Sequence, residues 1–206
     1  MAKIELLGDN TTLHDLELKQ SEDPKILVVF VFTASWCAPC KILKNAIVDK
    51  KFKAKFERIK FYSIDIDKCA KLAVSCGIAV VPTIQIREGP AIIDKIGGAD
   101  TNALQKLISD NLTRLDFMNA RQNVSLLNPT PDELLRLYGL LQQGSGIPCV
   151  AKAPHLMNAV EAAKYNAWKG FSSLSKVDAQ KEYSDFVEAL LENRKQADNV
   201  KCFEAF

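Results

Sequence analysis

Residues 26–41 read ILVVFVFTASWCAPCK. The first part, Ile26–Phe32, is a run of β-branched and aromatic residues too short for a buried helix. An unbroken apolar run of that kind marks a strand covered on both faces, as in the middle of a mainly parallel sheet. The second part, Trp36-Cys37-Ala38-Pro39-Cys40-Lys41, stands where that strand hands over to a helix. A helix start offers unpaired backbone N–H groups and a partial positive charge, and both stabilise a thiolate at Cys37. With two residues between them, the sulfurs can close a small ring. Pro39 fits the first helical turn, where its missing N–H costs little, and it stiffens that ring.

Two other readings of the pair stand beside a redox one. Half a zinc site needs a second pair or two histidines at ligand spacing. Here Cys69 and Cys76 are seven apart, and the two histidines, His14 and His155, lie far off in sequence. An inert buried pair is the second alternative, because cysteine packs well in cores. The redox reading assigns no metal.

Outward from this stretch, strands and helices alternate. Ile4–Leu7 reads as an edge strand, and Asn10–Lys19 as a helix capped by Asp9 and Asn10. Pro39–Phe56 reads as one amphipathic helix with Ile42, Leu43, Ala46, Ile47 and Phe52 on its apolar face. Strands follow at Ile59–Ile64, Thr83–Ile86 and Ile92–Ile96, with a short helix Cys69–Cys76 closed by Gly77 and a Gly89-Pro90 turn between the last two strands. From Thr101 the strand signal stops. Apolar residues recur every three or four positions, and no Gly or Pro interrupts Asp100–Leu127, so one helix is expected to run on into a second, all-helical unit. Pro129 and Pro131 end it, and Thr130-Pro131-Asp132-Glu133 starts the next helix, Leu134–Gln143. A Gly144–Pro154 loop, a helix His155–Lys169 and a helix opening at Ser175 complete the unit, the last with Tyr183, Phe186, Val187, Leu190 and Leu191 on one stripe. No internal repeat is evident.

The 206 residues leave room for one large domain or two small ones. At 48% hydrophobic and 25% charged, the composition excludes a disordered tail, a collagen-like fibre and a low-complexity linker. Basic and acidic residues number 16 against 14 before Leu112 and 11 against 11 from there on. Neither half carries the basic excess that nucleic acid or an anionic membrane favours. Six cysteines (Cys37, Cys40, Cys69, Cys76, Cys149, Cys202) are too sparse for a disulfide-stapled secreted scaffold. The opening MAKIELLGDN lacks the apolar run of a signal peptide, and no stretch approaches the length of a membrane span. The expectation is a monomeric cytoplasmic protein.

The first half resembles the thioredoxins. The run FTASWCAPCK, the strand end at Asp65, the Val81-Pro82-Thr83 turn and Gly97-Gly98 before the last helix fall in that family's order and spacing. The resemblance implies an α/β thioredoxin fold, a central mixed sheet flanked by helices, over residues 1–110. It makes Pro82 a cis proline facing the sulfurs; an X-Pro bond is the place where cis costs little. It also makes Trp36, Val81, Pro82 and Gly97 the groove that holds a client peptide. Thiol chemistry then gives the mechanism: Cys37 attacks a client disulfide as thiolate, Cys40 resolves the mixed disulfide, and a thioredoxin reductase resets the pair, with no bound cofactor. Cys37 is expected to be the nucleophile because its sulfur is the exposed one at the helix end, while Cys40 lies one turn inside.

Three positions depart from the family. Ala38 replaces its usual Gly. Val31, six residues before Cys37, stands where thioredoxins carry a buried Asp that assists proton transfer at the resolving cysteine, and Phe61 takes the place of the Lys often found beside it. Losing both together leaves no unpaired buried charge. Resolution by Cys40 is therefore expected to rely on water and to be slower than usual. Cys69 and Cys76 read either as helix and core residues or, by resemblance, as the extra regulatory cysteines of animal thioredoxins; joining them would distort a helix that holds their α-carbons about 10 Å apart.

In the second half, residues 116 to about 195 resemble the acyl-CoA-binding proteins, and 111–206 is expected to be a four-helix domain of that type. Residues 164–190 (KYNAWKGFSSLSKVDAQKEYSDFVEAL) follow that family's third and fourth helices, residues 132–138 (DELLRLY) its second, and Phe117–Leu127 its first. The resemblance puts Tyr138, Lys164, Tyr165 and Tyr183 at the positions that contact the nucleotide of acyl-CoA. The chemistry fits, since lysine neutralises phosphate and aromatic rings stack on adenine. Gln142 and Ser125, however, stand where the family has further lysines, and the Gly144–Asn158 loop has lost its sequence. Affinity for acyl-CoA should fall by orders of magnitude. Two functions follow: a protein disulfide reductase whose helical domain docks a client or ligand, or an acyl-CoA or lipid carrier with a redox-sensing domain. Equally, Tyr138, Trp168 and Tyr183 read as core aromatics.

Overall fold

A computed structural model describes residues 4–21, 23–149 and 158–204. The chain divides into two compact units, Met1–Asn111 and Leu112–Phe206. The first carries strands β1 (Ile4–Leu6), β2 (Leu27–Thr33), β3 (Ile59–Asp65), β4 (Thr83–Glu88) and β5 (Ala91–Gly97). Among them lie helices α1 (Leu13–Ser21), α2 (Ala38–Val48), α3 (Lys50–Lys55) and α4 (Ala70–Ser75).

The strands form one sheet in the order β1-β3-β2-β4-β5. β3 runs parallel to β1 and β2, while β4 is antiparallel to β2 and β5. The apolar run thus becomes the middle strand, and Leu27–Phe32 are all buried. Register fixes what shares a face. Val31 lies opposite Ser63, Thr33 opposite Asp65, and Leu6 opposite Ser63. Because side chains alternate along a strand, these residues all point to one side of the sheet. On the other side, Leu16, Phe30, Phe32, Tyr62, Ile64 and Leu72 make a core with Cys69 and Cys76.

The helix expected over Pro39–Phe56 is two. Asp49 has ψ 141°, outside helical range, and its carboxylate accepts the N–H groups of Lys51 and Phe52. It ends α2 and caps α3, and a capping Asp inside an apolar-periodic run is the signal that the periodicity hid. Phe52 still reaches the core, against Phe56 and Phe61. Cys69 and Cys76 prove to be the two caps of α4 rather than members of it, and Gly77 closes it at φ 64°.

The long helix is α5, Thr101–Asn123, with the Asp100 carboxylate accepting the N–H groups of Asn102 and Ala103. It stops short of Leu127 in a single turn of tighter helix, Val124–Leu126. The rest of the second unit is α6 (Pro131–Gly144), α7 (Ala159–Gly170) and α8 (Lys176–Glu204). α6 begins with a full capping box between Thr130 and Glu133. Asn158 caps α7 through the Glu161 N–H. The expected start of that helix at His155, and the loop at 150–157, lie outside the described residues. Phe117, Leu137, Leu140, Tyr183, Val187 and Leu190 make this unit's core.

Candidate active site

β2 ends at Thr33 and α2 begins at Ala38, so four residues carry the chain from the sheet to the helix. Within this turn the Cys37 N–H donates to the Ala34 carbonyl. Cys37 is the N-cap of α2, with extended backbone (φ −80°, ψ 103°), and Pro39 falls in the first turn. Cys37 and Cys40 are joined as a disulfide, their α-carbons 5.3 Å apart. The Cys40 N–H donates to Cys37 Sγ at 3.1 Å. A free N–H at the helix start is therefore already directed at this sulfur, the arrangement that favours its thiolate when the pair is reduced.

One expectation needs correction. Cys37 is 3% exposed and Cys40 4%, so exposure does not separate them. In the closed ring both cysteines pack with Ala34, Ile66 and Val81. What separates them is position: Cys37 sits at the helix end and Cys40 within its first turn.

Around the pair, the Val81-Pro82 peptide is cis, as the resemblance implied. The Pro82 carbonyl accepts the Gly98 N–H at 2.8 Å. Gly98 has φ 91°, which disfavours a side chain there. Pro82 is buried, Gly97 is exposed, and Val81 packs on the cysteines. Trp36 is 67% exposed, and its indole N–H donates to the Asp67 carboxylate at 2.9 Å. Asp67 lies outside the active-site motif in the sequence and reaches the site only through the fold. Its signal is the doubled aspartate of Asp65-Ile66-Asp67: the Asp65 carboxylate accepts the Asp67 N–H and so turns Asp67 back toward the active-site loop.

Beside Cys40 lies a cavity of about 240 Å3, lined by Cys40, Lys41 and Lys44 of α2 and by Val31, Thr33, Ser63 and Asp65 of the sheet. The Thr33 and Ser63 hydroxyls are 3.5 Å apart. Val31 is 4% exposed, and Phe61 is fully buried.

The thioredoxin family model matches residues 8–110, half of the chain. The chain belongs to the thioredoxin family. Thioredoxin H1 of Arabidopsis thaliana is 32% identical over 96 residues, which is 47% of this chain and 82% of that protein. Thioredoxin of Equus caballus is 32% identical over 82 residues, 40% of this chain and 76% of its own. A solved thioredoxin from Nicotiana alata, NaTrxh, is 25% identical, covers 52% of this chain and 90% of that one, and has a TM-score of 0.44. The acyl-CoA-binding protein family model matches residues 114–187 in tandem. The thioredoxin unit, with its Cys37–Cys40 disulfide, is a thiol-disulfide oxidoreductase of the disulfide-reductase type. Among the described residues, no helix is long and apolar enough to cross a membrane, and no group of three or more His, Cys, Asp or Glu is placed to hold a metal.

This thioredoxin's other cysteines differ from the pair. Cys69 is buried and its thiol donates to the Gly8 carbonyl at 3.3 Å; burial, then the charge of Asp9, pushes its pKa up. Burial likewise raises Cys76. Cys149 is partly buried, and the side chain of Cys202 lies outside the described residues.

In the helical unit, α6 and α7 bring Lys164 over the Tyr138 ring, 5.5 Å from its centre. Lys169 lies 6.0 Å from the Tyr165 ring. Tyr183 instead packs edge-on against Phe117 at 5.0 Å, is 3% exposed, and has its phenol pKa raised by burial. Gln142 is half-buried and Ser125 exposed.

Proposed function

We propose that this thioredoxin reduces protein disulfides with Cys37 as nucleophile and Cys40 as the resolving thiol. The observation that carries the assignment is the Cys40 N–H directed at Cys37 Sγ at the start of α2. Reduced Cys37 attacks one sulfur of a client disulfide as thiolate, and the other client sulfur leaves as a thiolate. Cys40 then attacks Cys37 Sγ, the ring seen here closes, and the second client thiol is released. Exposed Trp36 and Gly97, with Val81 and cis-Pro82 between them in the turn, form the client groove; Pro39 holds the helix start. A thioredoxin reductase, in a reducing compartment such as the cytoplasm, supplies two electrons to reopen the ring.

Residues 1–110 act as the redox domain and 111–206 as a docking domain for a client or ligand. An acyl-CoA ligand is the second reading, favoured by the Lys164–Tyr138 contact within the matched family segment. Reduction of insulin by the full chain tests the first reading. Wild type should precipitate insulin catalytically; Cys37→Ser should abolish turnover, and Cys40→Ser should accumulate a mixed disulfide at Cys37, resolvable by mass spectrometry. A Cys37→Ser protein with undiminished turnover removes Cys37 from the mechanism.

A further inference from the structure

We propose that the cavity beside Cys40 is the outlet for the Cys40 thiol proton, which passes through water between the Thr33 and Ser63 hydroxyls to the Asp65 carboxylate. The inference rests on the assignment of Cys40 as resolving thiol. A thiol must lose its proton before it can attack, and Cys40 is 4% exposed. The buried carboxylate that serves this step in the family is Val31 here, and its basic neighbour is Phe61. The same sheet face nevertheless remains polar one pleat further along: Thr33 follows Val31 on β2, and Ser63 and Asp65 follow Phe61 on β3. All three polar residues share the cavity wall with Cys40. At about 240 Å3 the space holds several waters, each of which takes roughly 30 Å3. The cavity reaches solvent, since Lys41 and Lys44 are exposed and Asp65 half-buried.

The charged groups sharing the cavity with Asp65 are Lys41 and Lys44 of α2, while β1 contributes only Ile4 and Leu6. From the α4 side, the Cys69 thiol senses the Asp65 charge. The Cys40 S–H bond breaks, water carries the proton to Asp65, and the thiolate attacks Cys37 Sγ. A Cys37–Cys40 bond forms, the Cys37–client bond breaks, and the client sulfur leaves with the electron pair and takes a proton from solvent. Both electrons come from the reduced pair.

Reduced full-length protein mixed with one equivalent of the aromatic disulfide dithiobis-nitrobenzoate should release its coloured thiolate in two phases, first as Cys37 is capped and then as Cys40 resolves. Asp65→Asn should leave the first phase unchanged. It should slow the second about tenfold below neutral pH, and the loss should fade in alkali; this is smaller than the roughly hundredfold to ten-thousandfold of a directly positioned proton acceptor, because water intervenes. Asn keeps the oxygen that accepts the Asp67 N–H, so a purely structural role of Asp65 predicts no change. Ser63→Ala should slow the same phase, and Asp65→Glu should restore it. An Asp65→Asn second phase equal to wild type at every pH overturns the outlet. A wild-type protein that releases no first phase overturns the Cys37–Cys40 assignment itself.

Discussion

Cys37 and Cys69 are both helix N-caps, yet their sulfurs stand in opposite chemical positions. Cys37 Sγ accepts a backbone N–H, which favours the anion; the Cys69 thiol donates to the Gly8 carbonyl, which requires the proton to stay. Burial raises Cys69 and Cys76 further, so both remain thiols at neutral pH and become nucleophilic only above the ordinary cysteine range. In the reduced protein at pH 7, iodoacetamide should therefore alkylate Cys37 at least about tenfold faster than either, the ratio that one pKa unit of thiolate population gives. Peptide mapping by mass spectrometry reads the order, and labelling of Cys69 ahead of Cys37 would contradict it. Val31 makes the complementary test. Val31→Asp places a carboxylate at a 4% exposed site beside Cys40, so the resolving step should accelerate near neutral pH. Stability should fall by about 1–3 kcal/mol, the usual cost of burying a polar group without a full set of partners. An unchanged resolution rate across neutral pH in that variant would mean that proton removal does not limit this protein. The cysteine pair and Val31 were readable in the chain because local order sets them. Asp67 was not, because its bond to Trp36 crosses 31 residues of sequence. The burial of Cys37 was also hidden, since it depends on Val81 arriving from the turn before β4.

At the level of elements, α6 carries two separable determinants. The first is its close approach to α7: a Cβ on Gly139 would sit 2.6 Å from the Ala167 carbonyl oxygen and 2.7 Å from the Phe171 ring. Backbone on the far side cannot swing aside, so Gly139→Ala should destabilise the helical unit by at least about 1–3 kcal/mol, the cost of overpacking. Gly170→Ala, with nothing within 4 Å of the new methyl, is the control and should leave urea unfolding, followed by helix signal, nearly unchanged. The second determinant is the capping box. Glu133 accepts the Thr130 N–H and lies 3.1 Å from Arg194; the backbone hydrogen bond first, then the arginine, hold its pKa below the usual glutamate value. A depressed folded-state pKa means stability present above the unfolded value and lost as pH falls through the folded one. Melts of the full chain between pH 5 and pH 3 should thus fall less steeply in Glu133→Gln, which keeps the cap but not the charge. An equal acid slope in both proteins would exclude this linkage. Thr130-Pro131-Asp132-Glu133 was legible as a helix start because capping is local. The break at Asp49 was not, since the apolar face of α2 continues in phase to Phe52 and periodicity alone reads through the interruption.

For the whole chain, the tandem of a thioredoxin unit and a segment matching the acyl-CoA-binding family poses the question of what the second part still recognises. Its packing survives: Phe117, Leu137, Leu140, Tyr183, Val187 and Leu190 remain one core. Its anion chemistry is thinned. Lys164 over Tyr138 keeps one cation beside an aromatic ring, whereas Gln142 and Ser125, at the positions where the resemblance implies lysines, supply none. Tyr183, buried against Phe117, serves the core. A charge-assisted hydrogen bond is worth roughly 1.5–3 kcal/mol, so lacking the two lysines that the resemblance implies should weaken binding of a phosphorylated ligand by about 3–6 kcal/mol, on the order of a hundredfold to ten-thousandfold. Titration of the full chain with a long-chain acyl-CoA, observed through Trp168 fluorescence in a Trp36→Phe background, should show no saturation at micromolar ligand. Restoring Gln142→Lys and Ser125→Lys together should bring saturation into that range, with an affinity that weakens as salt is raised, because the restored contacts are ionic. Tight binding by the unmodified chain would instead make the helical unit an acyl-CoA carrier, with Lys164 and Tyr138 sufficient to hold the nucleotide.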